Sequence, residues 1–343
     1  MTRAARPWMW PLVPAYRLAL VLREAQLRTG LKPVRRLRAP VVSVGNLSAG
    51  GAGKTPFVIA LARALAARGV QVDVLSRGYG RRRSMPPLAV EPHGAAEDFG
   101  DEPLEIARAA QMPVYVAAER YKAGLLAEAA QCASQQAGEP AHQRLCVHLL
   151  DDGFQHRQLH RDVDILLLGR ADLDGHLLPA GNLREALRAA ERADVIAIPA
   201  DEPEVADWVK ARGWERPLWR LRRQMELPRV DGPVVAFCGI ARPEQFFAGL
   251  QKAGLRLAAR LAFADHYRYT ASDLDRIASA AQSAGAAALL TTEKDRVRLG
   301  VMVQRLTASA PLWTVPLQVE IEDEAAIIDW LVMRLRTVKA QSV

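Results

Sequence analysis

The sequence predicts an α/β protein: two Rossmann-like, phosphate-loop-type domains with mostly parallel sheets, joined by a hinge and preceded by an amphipathic helix. Three observations predict this. Short runs rich in valine, isoleucine and leucine alternate with helix-period segments, as strands do when helices cover both faces of a parallel sheet. A glycine-rich loop joins the first such strand to the first long helix. The alternation loosens over residues 201–230 and restarts at Val234, and 343 residues are comfortable for two domains. The expected divisions are a membrane-associating helix and basic linker over 1–35, a phosphate-loop domain over 36–215, a connector over 216–232, and a smaller α/β domain over 233–343.

The first segment, RPWMWPLVPAYRLALVLREAQLRTG, is apolar early and basic late. Pro11, Pro14 and Arg17 break the apolar run well short of a bilayer's thickness. A helix over Ala15–Thr29 gathers Leu18, Leu20, Val21 and Leu22 on one side, and Trp8 and Trp10 favour a lipid interface. The pattern fits a helix lying on a membrane surface; an amphipathic helix packed on its own domain is the competing reading. PVVSVGN then reads as a buried strand, and TPFVIALARALAARG as a helix stopped by Gly69. VQVDVLS, MPVYVA, LCVHLLDD, VDILLLG and DVIAIP are further strands, with helices between them at Asp101–Ala110 and Glu119–Gln131. Residues 201–230 mix a short helix with an arginine-rich, paired-strand-like connector. VVAFCGI, a helix from Pro243, a strand near 255–263, a helix from Ser272, AALLTT, a strand near Trp313 and a helix from Glu324 compose the second domain.

A net charge of +8 suits an acidic partner: nucleic acid, an anionic membrane or a phosphorylated substrate. An arginine-rich proteome would give the same balance. The arginines are scattered without interleaved aromatics, which argues against nucleic acid. Cys132, Cys146 and Cys238 form no CxxC pair, so neither zinc nor a disulfide framework is indicated, and a reducing, cytoplasmic setting fits.

The stretch SVGNLSAGGAGKTP carries the chemistry. A phosphate loop wraps backbone N–H groups around anionic oxygens at a helix N-terminus, its lysine reaches the terminal phosphates, and its Thr or Ser binds Mg²⁺. Ser48, Ala49, Gly50, Gly51, Ala52 and Gly53 form the loop, and Lys54 and Thr55 stand where that chemistry wants them. Ser48 replaces the leading glycine of the strict pattern, and the doubled Gly50-Gly51 shifts the sharp turn. Asp151 and Asp152 end a neighbouring strand, where carboxylates organise Mg²⁺ and water beside phosphates; a structural strand cap is the alternative.

VSVGNLSAGGAGKTP, SRGYGRR, GDEP, LLDDGFQHR, LPAGNLRE, AFCGIARPEQFF, FADHYRYT and TTEKDRVRL occur in this order from Val42 to Leu299. The set resembles the tetraacyldisaccharide 4'-kinases, the lipid A 4'-kinases of Gram-negative bacteria. The resemblance covers nearly the whole chain. Asn182 departs from it, standing where proline is common, and so does IAIPADEP.

The resemblance implies transfer of the ATP γ-phosphate to the 4'-hydroxyl of an acylated glucosamine disaccharide 1-phosphate. It places the enzyme peripherally on the cytoplasmic face of the inner membrane, with no obligatory protein partner. It implies Asp101 as general base, assisted by His266 from the second domain. Asp101 could otherwise cap its helix, and a histidine beside tyrosines is often structural. It implies Glu185 in the Mg²⁺ environment and Arg184 on phosphate, where a plain helix-start charge pair would also suit. Arg77 and the following Arg81–Arg83 could hold the substrate's 1-phosphate or anionic lipid, or merely form a solvated basic loop. His156 is a further candidate for substrate contact, with a local hydrogen-bonding role as its alternative. A membrane-recruited partitioning or insertion ATPase shares the loop and the anchor, but it usually carries an extra lysine early in the loop, where this chain has Ser48 or Ala49.

Overall fold

The computed structural model describes residues 6–51, 53–82, 85–136 and 145–341. Ala52 of the loop and Arg83 of the basic run lie outside the described residues. Thirteen strands are described, in chain order: β1 (Val41–Asn46), β2 (Gln71–Ser76), β3 (Leu88–Ala89), β4 (Val114–Val116), β5 (Cys146–Asp151), β6 (Val163–Leu167), β7 (Val195–Pro199), β8 (Leu218–Met225), β9 (Pro233–Cys238), β10 (Arg256–Ala262), β11 (Ala288–Thr292), β12 (Leu312–Val315) and β13 (Leu317–Ile321). They form a nine-stranded sheet ordered β13-β8-β7-β6-β1-β5-β2-β4-β3 and a four-stranded sheet ordered β10-β9-β11-β12. Among the described strands, only the edge pairs β13–β8 and β3–β4 are antiparallel.

β1 lies at the centre of the large sheet because VVSVGN is buried along its whole length, with helices on both faces. Its neighbours decide where the chemistry sits. Val44 pairs with Asp151 of β5, and Asn46 pairs with Leu167 of β6. The glycine loop after β1 and the acid pair ending β5 therefore emerge side by side at the carboxyl edge, the usual place for ligands in an open parallel sheet.

The connector and the C-terminus depart from the expected divisions. Residues 216–232 contain β8, a full member of the large sheet, in which Trp219 and Leu221 point inward while Arg220 and Arg222 stay exposed. The chain after Pro316 does not remain with the second sheet. β13 pairs antiparallel with β8, and the helix Glu324–Gln341 lays Ile328, Leu331 and Leu335 into the core beside Phe57. Trp330 meets Trp219 edge-on at 5.9 Å between centroids. The i, i+3, i+7 stripe on this helix predicts burial, but a stripe does not name the sheet it covers. Leu331→Ala should lower stability by about 2–5 kcal/mol. An unfolding midpoint equal to wild type would contradict this docking.

The helix Val13–Arg28 packs Val13, Tyr16 and Leu20 against the large-sheet unit. Its outward side exposes Leu18, Val21 and Leu22, and Trp8 and Trp10 of the preceding 3₁₀ turn are also exposed, Trp8 at 72%. One face of the helix thus packs on its own domain, as the competing reading expects, and the other leaves apolar side chains in the open. Among the described residues, no helix is long and apolar enough to cross a membrane.

Candidate active site

The loop after β1 turns through positive φ at Gly50, Gly51 and Gly53, a region that disfavours side chains. Two arginines close over it. A Cβ added at Gly53 would come within 3.3 Å of Arg223 Nη2, and one at Gly51 within 3.1 Å of Arg242 Cγ. Ser48 is buried in the place of the missing first glycine, bridged to Leu183, with the Ala49 N–H donating to Asn182 O at 2.8 Å. The loop is thus fixed sideways to the segment carrying Arg184. The helix Lys54–Ala67 starts directly from Gly53, so its unpaired N–H groups face the loop's hollow. Thr55 is buried in its first turn.

Lys54 donates to Asn46 Oδ1 at 3.0 Å and lies 3.5 Å from Asp152 Oδ1. Asn46 in turn donates to Ser48 Oγ at 3.1 Å. Arg184 Nη1 grips both oxygens of Asp152 at 2.9 and 2.8 Å. Burial pushes the Asp152 carboxyl up, but Lys54 and Arg184 hold it below the usual carboxylate range. Asp151 behaves oppositely. It is fully buried, and neither oxygen has a hydrogen-bond partner among the described residues. Burial, with the charges of Glu102 and Asp152, raises it to about 7. An orphaned buried carboxylate beside a phosphate loop fits a cation-binding role. Glu185 is placed apart from this pair, bound to Arg192 at 2.7 Å. No group of three or more metal-ligating side chains is assembled among the described residues.

On the other side of the cleft, Asp101 opens the helix Asp101–Ala110, but its side chain does not cap it. It crosses to the second unit, where His266 Nδ1 lies 3.1 Å from Asp101 Oδ2 and Arg298 Nε donates to the same oxygen at 2.6 Å. Burial raises the Asp101 carboxyl, and the His266 hydrogen bond and the Arg298 charge outweigh that, leaving it below its ordinary value. His266 takes positive φ, 57°, and its ring lies 5.1 Å from that of Tyr79 in the SRGYG loop. One residue along, Lys294 donates to Glu102 at 2.8 Å. The two units therefore meet at consecutive acids of one helix.

The basic loop separates into unlike parts. Arg77 is exposed, whereas Arg81 holds its own loop through Val116 O and Pro86 O. His156 is pushed down to about 3 by burial and by the surrounding Arg120, Arg161, Arg23 and Arg77, so its imidazole is neutral at physiological pH. Sequence reasoning missed Arg120. It is buried, its Nε has no partner among the described residues, and burial and then the Arg77 charge lower it to about 10. Its position just after β4, at the same carboxyl edge, was the available signal. Also missed were Asn46, Gln155, Arg223, Arg242 and the Lys294/Arg298 pair. Gln155 donates to Asn46 O at 2.8 Å and accepts from Arg184 at 3.3 Å. Its backbone carbonyl accepts from Arg23, which ties the N-terminal helix to the site.

Beyond Arg223 a cleft opens at the carboxyl ends of β6, β7 and β8, lined by Leu168, Asp172, Pro199, Glu202, Arg223 and Arg242. Asp172 is buried there, with Oδ2 accepting from the Gly169 N–H and Oδ1 unpartnered among the described residues. It offers a hydrogen-bond acceptor in the cleft shared with Arg223 and Arg242, the two arginines that lie against the phosphate loop.

Comparison with known proteins gives this geometry its context. The family model described as tetraacyldisaccharide-1-P 4'-kinase matches residues 5–336. A tetraacyldisaccharide 4'-kinase of Koribacter versatilis is 42% identical over 335 residues, covering 94% of this chain and 98% of the relative. Another, from Geobacter metallireducens, is 39% identical, covering 85% and 88%. The crystal structure of the "apo" form of LpxK from Aquifex aeolicus in complex with ATP aligns with a TM-score of 0.70 at 31% identity, covering 96% of this chain and 99% of that one. With the match running from the N-terminal helix to the C-terminal one, this chain belongs to the tetraacyldisaccharide-1-P 4'-kinase family.

Proposed function

We propose that the protein transfers the γ-phosphate of ATP to the 4'-hydroxyl of tetraacyldisaccharide 1-phosphate, working on the cytoplasmic face of the inner membrane. The observation that carries this reading is the meeting of Asp101 and His266 at 3.1 Å from two units, with the neighbouring Glu102 close enough to feel the charge of Lys54. Transfer to an alcohol needs a proton acceptor, and Asp101 held by His266 supplies one.

Phosphoryl transfer depends on positioning and charge neutralisation. The backbone N–H groups of Gly50, Gly51 and Gly53 and the Lys54 ammonium would hold the phosphates; the Ala49 N–H, expected among them, is instead committed to Asn182 O and fixes the loop. Arg223 and Arg242 lie against the loop's glycines, where they would neutralise the nucleotide's inner phosphates. The cleft lined by Asp172 and Glu202 is the place for the nucleoside. Mg²⁺ would be held by Thr55 with Asp151 and Asp152, and when bound it would neutralise phosphate charge. Glu185, turned to Arg192, acts at most from outside that set.

Asp101 accepts the proton of the sugar hydroxyl as its oxygen bonds to the γ-phosphorus and the bond to ADP breaks. Arg77, Arg120 and His156 face the acceptor side. The first two supply positive charge for its phosphate, and neutral His156 supplies a hydrogen bond. The two strands β8 and β13 join the units, and flexing there would open and close the cleft.

Four acyl chains cannot be left in water, since each methylene costs about 0.8 kcal/mol. The exposed Trp8, Trp10, Leu18, Val21 and Leu22 provide the surface on which such a substrate is met. The double variant Leu18→Glu, Val21→Glu should reduce co-sedimentation with anionic vesicles by about tenfold or more. Unchanged sedimentation would remove this face from the membrane reading. The reaction itself is tested by incubating the protein with γ-labelled ATP and the disaccharide 1-phosphate, then locating the label. Label on the 4'-oxygen is expected. ATP hydrolysis that is indifferent to the glycolipid would sink the proposal.

A further inference from the structure

The side chain of Arg298 is 4% exposed, and every donor it uses points at the reaction centre or at the wall behind it. Nε donates to Asp101 Oδ2 at 2.6 Å, Nη1 donates to Gly239 O at 2.6 Å and to Asp295 Oδ1 at 3.2 Å, and Nη2 lies 3.3 Å from His266 Nδ1. Asp295 is itself anchored, accepting from the Gly239 N–H at 2.9 Å and from the Tyr269 hydroxyl at 2.9 Å. The guanidinium is thus locked into the second unit on one side and presents its other edge to the catalytic pair. A planar fork can do this; a flexible ammonium cannot hold all four directions at once.

We infer that Arg298 is a positioning residue for phosphoryl transfer: it fixes Asp101 as an anion through Oδ2 and so reserves Oδ1 for the proton of the acceptor hydroxyl. Among the described residues, both groups that bind the Asp101 carboxylate, His266 and Arg298, do so at Oδ2. With Oδ2 anionic, the His266 Nδ1–H donates to it, and the ring orientation follows. With Nδ1 protonated, Arg298 Nη2 at 3.3 Å lies beside that nitrogen without bonding to it. The other charged groups around the pair come from three elements. They are Glu102 on the Asp101 helix, Lys294 and Asp295 on the Arg298 helix, and Asp265, 3.9 Å from His266 Nε2. Glu102 and Lys294 neutralise each other, and Asp295 is already bound. Arg298 is therefore the cation in direct contact with Asp101. Because it is carried by the second unit, the base is completed only when that unit is seated.

The inference rests on Asp101 acting as the base, and the experiment separates the two ideas. The kcat/KM pH profile for glycolipid phosphorylation is measured for wild type, Arg298→Met, Arg298→Lys and Asp101→Asn, with ATP binding measured in parallel. Arg298→Met should move the acid limb up by about 1–3 pH units, the shift that an adjacent opposite charge imposes on a carboxylate. It should also lower kcat at neutral pH by about tenfold or more while leaving ATP affinity within about twofold. Arg298→Lys keeps the charge and loses the fork. Its acid limb should stay near that of wild type while kcat falls several-fold, and it carries the test if the Met variant does not fold. An unmoved acid limb in Arg298→Met, or wild-type kcat in Arg298→Lys, would overturn the inference. If Asp101→Asn retains full activity, the base assignment fails instead.

Discussion

Replacing Lys54 with alanine is expected to lower kcat by about 10²–10³-fold, the scale seen when one donor aimed at developing charge is removed. The expectation follows from where the ammonium is held. It sits at the mouth of the loop, 10% exposed, between Asn46 and Asp152. Neither contact is needed for folding. β1 and the helix Lys54–Ala67 are held by Val42, Val44, Phe57 and Leu61, all fully buried. Asp152 keeps its two-oxygen grip from Arg184 when the lysine is gone. Thermal melting should therefore stay close to wild type while transfer collapses. The partition between constants matters as much as the size. A rise confined to KM for ATP would mean that Lys54 binds ground state and transition state alike. Retention of the wild-type rate would take the loop out of the mechanism.

The large sheet was legible because its strands are buried on both faces and read as unbroken apolar runs, as VVSVGN and VIAIP do. The loop and the acid pair were legible because each is local: strand, glycines, Lys54 and helix follow one another without a gap. What escaped was decided by contacts far apart in sequence. β13 reads no differently from a strand of the second sheet. It leaves because Val319 and Ile321 complete the inner face begun by Trp219 and Leu221 of β8. Arg120 and Arg298 look like any helix-surface arginine until the fold buries them, Arg298 against Asp101. Glu185 shows the reverse. The family resemblance implied a place for it in the Mg²⁺ environment, yet the Arg192 guanidinium, seven residues on, holds its carboxylate.

A second large effect is expected from Asp101→Asn, which should reduce kcat by about 10²–10⁴-fold, the range for removing a general base. Asparagine preserves the size and the first turn of the helix, and Arg298 can still donate to its carbonyl oxygen, so ATP binding should be nearly unchanged. Equal losses in ATP affinity and in transfer would refute the role. The same variant makes an independent prediction about stability. In the folded protein the Asp101 proton is held more weakly than in the unfolded chain, because His266 and Arg298 favour the anion. The carboxylate therefore contributes stability above the ordinary carboxylate range, and that contribution disappears as pH falls through the lowered folded value. An asparagine at this position does not titrate, so wild type should melt higher than the variant near neutral pH and the gap should narrow on acidification. A gap that stays constant from neutral to acidic pH would show that Asp101 is held by shape rather than charge. In that case the low proton affinity that keeps it ready as a base would have no origin in the His266–Arg298 contact.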